Sequence, residues 1–218
     1  KNVQVLGDLD VPASLEGVGI DATHVLHCAP PGKFGELDLR TRNLVHALDV
    51  GTRFRRRPLE RVVYLSTSGV YGDCRRRADA EEILEVWAAR RGISLALLRV
   101  PGIYAPSRLP LARLQSRTPA LRAEEDVYTN HIHADDLAMI LEVALQCPGA
   151  EGAFNACDDS EIKMADYFDL VADRHHLPRP ARITRAQARE MISPELLSFM
   201  NESRRLVNRR MKEALGVR

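Results

Sequence analysis

Val62-Val-Tyr-Leu65 leads directly into Ser66-Thr-Ser-Gly-Val-Tyr-Gly72, and this stretch decides how the chain folds. The apolar, β-branched run predicts a buried strand, and the small polar residues after it predict a turn. Helical spacing follows over Ala78–Arg91, and Gly92 stands where a glycine ends a helix. The apolar run Ile93–Leu98 then predicts another strand. Strand, helix and strand at this spacing predict two parallel neighbours in one sheet.

The same alternation extends toward the N-terminus. Thr23–His27 predicts a strand, and Leu39–Val50 has the apolar spacing of a helix that Gly51 would end. Val3–Leu6 predicts one more short strand, and Pro12 suits the first turn of a short helix.

The C-terminal part also alternates. A helix, a short strand and a helix are predicted over Asp135–Gln146, Ala153–Ala156 and Lys163–His175. Ser193 is a candidate N-cap before Pro194, which predicts a helix running on toward Arg210. We therefore predict an α/β fold with a doubly wound parallel sheet. Residues 1–150 would form this domain, and residues 151–218 a mainly helical lobe over the substrate.

Composition excludes several classes of protein. The chain has 218 residues, with 31 Lys and Arg against 30 Asp and Glu, so its net charge of +1 supplies no field to recruit nucleic acid or an anionic membrane. No apolar run approaches the ~20 residues of a membrane span, and we expect a cytoplasmic protein. The four cysteines are scattered, which favours reduced thiols. His131 and His133 alone do not make a metal site, and we expect no metal.

Seven segments occur in the order typical of a known family. The segments are Gly7-Asp8, Val25-Leu-His-Cys-Ala29, Asn43, Ser66–Gly72, Arg99-Val-Pro-Gly-Ile-Tyr-Ala-Pro106, Asn130-His-Ile-His-Ala-Asp-Asp136 and Phe154-Asn-Ala-Cys-Asp-Asp159. Together they resemble the extended short-chain dehydrogenase/reductase family, especially its nucleotide-sugar epimerase/dehydratase branch, over residues 3 to 175.

The resemblance implies a Rossmann-type sheet that binds NAD or NADP. The family opens with a strand, a glycine-rich phosphate loop, a helix and a second strand, which would precede Lys1, so we expect residues missing there. Gly17-Val-Gly19-Ile-Asp-Ala22 matches a phosphate-loop pattern in letters, but a helix precedes it and a strand follows, the reverse of the required order. The choice between NAD and NADP stays open, because the second strand carries the deciding residue.

The family's catalytic Tyr-x-x-x-Lys pair does not occur in this sequence. Register with the family's helix puts Arg77 at the lysine position and Asp73 four residues earlier. Arginine keeps the positive charge but cannot exchange protons near neutrality. The connection before the helix is short, so either a tyrosine is missing near Cys74 or the protein lacks one. Thr67 aligns with the catalytic Ser/Thr, although a strand-end hydroxyl often only completes a turn.

Ligand contacts follow from the same resemblance. It assigns the cofactor to Asp8, Leu9, His27, Ala29, Pro30, Ser66, Pro101, Gly102, Ile103 and Tyr104, and the substrate to Ser68, Asn130 and His131. Three structural alternatives remain: a turn role for Asp8, a core hydrogen bond for His27 and core packing for Tyr104.

The implied function is that of an NAD(P)-dependent oxidoreductase acting on a sugar nucleotide or a similar hydroxylated small molecule, with a homodimer as the family's assembly. One alternative is a non-catalytic NAD(P)-binding sensor, and another is an interaction protein with a basic tail. The arginine clusters 53–57, 75–77 and 204–210 lack interleaved aromatic residues, which favours a solvated face or the anchoring of a substrate phosphate over nucleic-acid binding.

Overall fold

The computed structural model describes residues 4–32, 34–51, 57–72 and 74–218. In chain order its strands are β1 (His24–His27), β2 (Arg61–Thr67), β3 (Ser94–Val100), β4 (Gly102–Tyr104), β5 (Ala120–Leu121), β6 (Tyr128–Thr129), β7 (His131–His133), β8 (Gly152–Asn155), β9 (Ile162–Lys163) and β10 (Arg182–Ile183). Its α-helices are α1 (Leu39–Gly51), α2 (Arg75–Arg91), α3 (Leu111–Gln115), α4 (Ala134–Gln146), α5 (Met164–Arg174), α6 (Arg185–Met191), α7 (Pro194–Phe199) and α8 (Arg209–Leu215). Short 3₁₀ helices cover Pro12–Leu15, Ser68–Tyr71 and Pro106–Arg108.

A four-stranded parallel sheet in the order β1-β2-β3-β8 forms the centre of the fold. Val62 and Tyr64 on β2 and Leu97 on β3 pack against apolar side chains of α1 and α2. Val63 and Leu98 alternate with them and are equally buried on the opposite face. Apolar residues on both faces explain why these strands read as unbroken hydrophobic runs. The predicted α/β fold with a parallel sheet is confirmed.

Two local signals set the start of α1 and the end of α2. The Asp38 carboxylate accepts hydrogen bonds from the N–H groups of Arg40 and Thr41, which explains why α1 begins at Leu39. Gly92 adopts a left-handed conformation with φ 66° and its N–H bonds to the Ala88 carbonyl, so α2 ends where the sequence predicts.

Arg61, at the start of β2, is among the largest fully buried side chains of the described residues. Its guanidinium donates to the carbonyl oxygens of Ala144, Pro148 and Ala150 and to Ser94 Oγ. These neutral oxygens belong to the end of α4, the connection to β8 and the start of β3. One side chain therefore ties the sheet to the segment that feeds its last strand.

The chain divides into two compact units. Unit 1 comprises residues 1–100, 137–156 and 209–218, and unit 2 comprises residues 101–136 and 157–208. The prediction of a single boundary at residue 150 differs from this division, because the chain passes between the units four times. Unit 2 holds three strand pairs, β4-β7, β5-β10 and β6-β9, with small apolar cores around Phe168 and Met200.

Two predicted elements were wrong in part. Residues 4–8 form no strand, and Val3 lies outside the described residues. The helix that begins at Pro194 is capped by the Ser193 side chain as predicted, but it ends at Phe199 instead of continuing toward Arg210. Beyond it the backbone of Arg204 bonds to Tyr128 and Asn130, so tertiary partners replace the helical hydrogen bonds.

The sequence predicts that Gly51 directly follows the helix, whereas in the structure Gly51 belongs to α1. Among the described helices, none combines the length and the apolar character needed to cross a membrane.

Candidate functional site

A cavity of about 520 Å³ lies at the carboxyl ends of β1 and β2 in unit 1. Open α/β sheets bind their ligands at this edge. The cavity is lined by Pro31, Gly32, Gly35, Glu36, Thr67, Cys74, Arg75, Arg76 and Arg77. Both residues predicted to be catalytic, Thr67 and Arg77, are therefore brought to one cavity.

Thr67 is the last residue of β2 and is half-buried. Its Oγ1 accepts a hydrogen bond from Gly69 N at 3.2 Å, which caps the 3₁₀ helix that starts at Ser68. The turn role is thus present. Because this bond uses an oxygen lone pair, the hydroxyl proton can still be donated to a ligand.

Arg77 is turned toward the sheet. Its NH1 donates to Tyr64 Oη and to the Leu65 carbonyl, both at 3.0 Å, and its guanidinium lies over the Tyr64 ring. Tyr64 is fully buried, and burial raises the pKa of its phenol. This pair therefore does not reproduce a reactive tyrosine. Asp73, four residues before Arg77, lies outside the described residues.

Ser66 faces away from the cavity into a buried polar network. Its hydroxyl donates to Glu81 at 2.5 Å, and Arg99 donates to the same carboxylate at 2.7 Å. The hydrogen bonds to Glu81 raise the pKa of the Arg99 guanidinium. The other side of Arg99 stacks on Tyr71, whose hydroxyl donates to Asn155. The network anchors the segment after β2 on both sides of Thr67, and a cofactor role for Ser66 does not follow from this position.

His27 makes the core hydrogen bond that was its structural alternative. Its Nε2 lies 2.9 Å from Thr41 Oγ1, and Thr41 donates its one hydroxyl proton to Asp38. Since the Thr41 oxygen must then accept, His27 carries its proton on Nε2. The ring also stacks on Tyr64. Burial lowers the pKa of His27 to about 4, so the imidazole is neutral at physiological pH.

The other cofactor residues assigned to unit 1 occupy loops near the start of the chain. Asp8 Oδ1 accepts from Asp10 N at 2.9 Å, which is the turn role weighed for it. The Leu9 carbonyl accepts from the Asn43 amide at 2.8 Å. Ala29 and Pro30 directly follow β1, and the lining of the cavity begins at the next residue.

Pro101, Gly102, Ile103, Tyr104 and His131 are all placed in unit 2. The register of β4 and β7 pairs Gly102 with His131, and a Cβ at Gly102 would lie 3.1 Å from the His131 ring, so only glycine fits there without displacement. His131 stacks on Tyr167 with ring centres 4.1 Å apart, and Tyr104 packs edge-on against His133. Burial lowers the pKa of His131 and raises that of Tyr104.

Asn130 uses its amide on the backbone of unit 2. Its Nδ2 donates to the Arg204 carbonyl and its Oδ1 accepts from Leu206 N, both at 2.9 Å. The predicted substrate residue is therefore a clamp on the segment after α7. Within the part of the chain that the structure describes, no group of three His, Cys, Asp or Glu side chains is arranged to hold a metal.

Sequence reasoning missed Glu81 and Tyr167. Glu81 lies on a helix rich in charged residues, and such a helix usually faces solvent, so its sequence gives no sign that Glu81 is buried. Tyr167 belongs to none of the motifs used above. The predicted roles of Thr67 and Arg77 and the positive charge of Arg75–Arg77 were the sequence signals that pointed toward the cavity.

A second cavity, of about 640 Å³, lies between α1 and α2. Two ion pairs cross between the helices there: Arg42 bonds to Asp79 and Arg91 to Asp49. Its lining belongs to these two helices, whereas the first cavity includes Thr67 at the end of a strand, so the first cavity is the better candidate site.

The sequence matches no family model, and a search of curated proteins found no match either. Solved structures do resemble it. A conserved protein of unknown function from Silicibacter pomeroyi is 29% identical, with a TM-score of 0.71 over 89% of this chain and 72% of that chain. The UDP-N-acetylglucosamine 4-epimerase of Bacillus cereus is 15% identical, with a TM-score of 0.62 over 96% of this chain and 82% of that chain.

RMD from Pseudomonas aeruginosa, solved with NADPH, is 16% identical, with a TM-score of 0.60 over all of this chain and 88% of that chain. A human epimerase-family protein solved with NADPH is a further neighbour. At identities this low, the structural similarity shows the fold alone. This fold is the one that the motif resemblance implies. The chain therefore has the Rossmann-like α/β fold that these solved structures share.

Proposed function

We propose that this chain binds NAD or NADP and acts as an epimerase/dehydratase-like oxidoreductase on a sugar nucleotide or a similar hydroxylated small molecule. The cavity at the carboxyl ends of β1 and β2 carries this proposal, because it joins Thr67 to a positively charged wall at the edge where such sheets bind ligands. NADPH in two structural neighbours supports the nicotinamide cofactor.

The residues present fit an anionic dinucleotide. Pro31 and Gly32, which follow β1, line the cavity, and Arg76 and Arg77 supply positive charge beside them. When bound, the nicotinamide supplies a hydride acceptor or donor. Thr67 would donate its hydroxyl to an oxygen of the substrate and hold it in place. Arg77 stabilises negative charge but moves no proton near neutrality.

The test is titration of the full chain with NADH and NADPH, followed by turnover with a panel of sugar nucleotides. We expect binding of one cofactor and turnover that falls by about 100-fold in Thr67→Ala, the usual scale for losing one positioned hydrogen-bond donor. Thr118→Ala, the same substitution in unit 2, is the control and should keep full turnover. Failure to bind either cofactor would contradict the proposal.

A non-catalytic NAD(P)-binding sensor is the second candidate. It is favoured by the missing Tyr-x-x-x-Lys pair and by Arg77, whose NH1 is held by Tyr64 and Leu65. Cofactor binding without turnover of any substrate in the panel, in the wild-type chain, selects this function over the first.

We further propose a homodimer located in the cytoplasm. Light scattering after gel filtration should give twice the mass of one chain, and cell fractionation should recover the protein with the cytosol. A monomer at every concentration would contradict the assembly.

A further inference from the structure

Three consecutive arginines line the cavity at the carboxyl ends of β1 and β2. Arg75, Arg76 and Arg77 face a single carboxylate, Glu36, among the described residues of the lining. The wall therefore carries an excess of positive charge, although the whole chain is nearly neutral.

The hydrogen bonds of these arginines leave that charge largely uncompensated. Arg76 NH1 donates to the Gly32 carbonyl at 2.8 Å, and Arg77 NH1 donates to neutral oxygens of the sheet. Arg75 lies 3.5 Å from Glu36, but both side chains are more than three-quarters exposed, so water and salt weaken the pair.

The position of the arginines within α2 is unfavourable for the helix itself. They fill its first turn, which contains no acidic residue. The N-terminal end of a helix is the positive end of its dipole, so cations there are disfavoured and anions are stabilised. Cations at the N-terminal end of a helix go against the preference set by its dipole. Such local conflicts, when they lie beside a cavity, are typical of binding sites.

The cavity also has room for a ligand beside the guanidinium groups. A Cβ placed on Gly32 or Gly35 would meet no heavy atom within 4 Å. These two lining residues therefore border open space. A planar guanidinium group can donate two parallel hydrogen bonds to two oxygens of one phosphate. Two neighbouring arginines therefore match the oxygens of a phosphate or diphosphate.

We propose that Arg75 and Arg76 form a phosphate-binding subsite, so that the molecule held in this cavity carries a phosphate or diphosphate group at the start of α2. The inference rests on the proposed function and adds the chemical class of the group that this wall recognises. The phosphate belongs either to the dinucleotide or to the substrate.

The test uses calorimetric titration of the full chain with inorganic pyrophosphate at low ionic strength. Arg75→Gln/Arg76→Gln should weaken binding at least about tenfold, the scale expected when charge-assisted hydrogen bonds are lost. The matched control is Arg90→Gln/Arg91→Gln, which removes the same charge from the other end of α2 and should change the affinity less than about twofold. Wild-type chain that binds no pyrophosphate, or equal losses in the two double variants, would overturn the inference.

Glu36→Gln gives an independent readout in the opposite direction. Removing the one carboxylate among the described lining residues should tighten pyrophosphate binding, and because Glu36 is exposed the fold should tolerate the change. Unchanged or weaker binding would count against the subsite, whatever happens in the arginine variants.

Competition separates the two sources of the phosphate. Pyrophosphate displaced by NADH or NADPH assigns the subsite to the dinucleotide, whereas pyrophosphate that binds to the cofactor-saturated chain assigns it to the substrate. NADH binding without pyrophosphate binding would refute the subsite and leave the proposed function standing. Pyrophosphate binding without NADH or NADPH binding would do the reverse.

Discussion

At the scale of single residues, buried polar side chains hold the strand ends in place, and His27 is the clearest case. Burial lowers its pKa to about 4, whereas the ordinary value is 6.5. Between pH 6.5 and about 4, His27 is protonated in the unfolded chain but stays neutral in the folded chain. Stability should therefore fall as the pH drops from about 6.5 to about 4, by up to about 1.4 kcal/mol per pH unit from this residue, and the loss should level off below.

Urea unfolding at a series of pH values checks this expectation. His27→Gln should flatten the pH dependence, because the amide can bond to Thr41 without titrating. His24→Gln, on the same strand but exposed, should keep the wild-type slope. Identical slopes for wild type and His27→Gln would show that His27 is not the group responsible.

Glu81 is the residue whose loss should cost most near the candidate site. Its buried carboxylate binds Ser66 and Arg99, so Glu81→Ala leaves a partly buried guanidinium without its ion partner. We expect a loss of about 3 kcal/mol in the free energy of unfolding. Glu82→Ala, at an exposed neighbouring position, should change it by less than about 0.5 kcal/mol. Equal midpoints in urea for the two variants would contradict the role of the network.

At the scale of elements, local signals place several helix ends, but tertiary contacts decide the C-terminal segment. The residues between α7 and α8 have helical composition, yet Asn130 holds their backbone in a non-helical path through Arg204 and Leu206. Helix propensity is a weak preference that such contacts override. The extended helix predicted from Ser193 therefore ends early.

Asn130→Ala should release this segment. Losing two hydrogen bonds to the backbone should cost about 1–2 kcal/mol and accelerate tryptic cleavage after Arg204 and Arg205. Gln115→Ala, an exposed substitution in the same unit, should leave the cleavage rate unchanged. Mass spectrometry of the fragments identifies the cut sites, and cleavage at the wild-type rate in Asn130→Ala would disprove the clamp.

At the scale of the whole molecule, single side chains join segments that are distant in sequence. Arg61 contacts oxygens more than 80 residues away, at Ala144 and Ala150. Arg61→Met would leave these buried carbonyls without a donor, and we expect a loss of about 3 kcal/mol in the free energy of unfolding. Arg57→Met, at an exposed position, should be nearly neutral. A loss in Arg61→Met no larger than in this control would show that the buried bonds contribute little.

The sequence by itself determined the parallel sheet, because the strands of unit 1 are continuous apolar runs separated by helices with the right spacing. It also placed Thr67 and Arg77 at the carboxyl edge, since Thr67 ends β2 and Arg77 lies near the start of the helix that follows. Three things were decided only by tertiary structure: which hydroxyls and imidazoles turn inward, as Ser66 and His27 do, the non-helical path held by Asn130, and the division into units. The physical reason is that burial and hydrogen-bond partners come from residues far along the chain, whose positions no local pattern encodes.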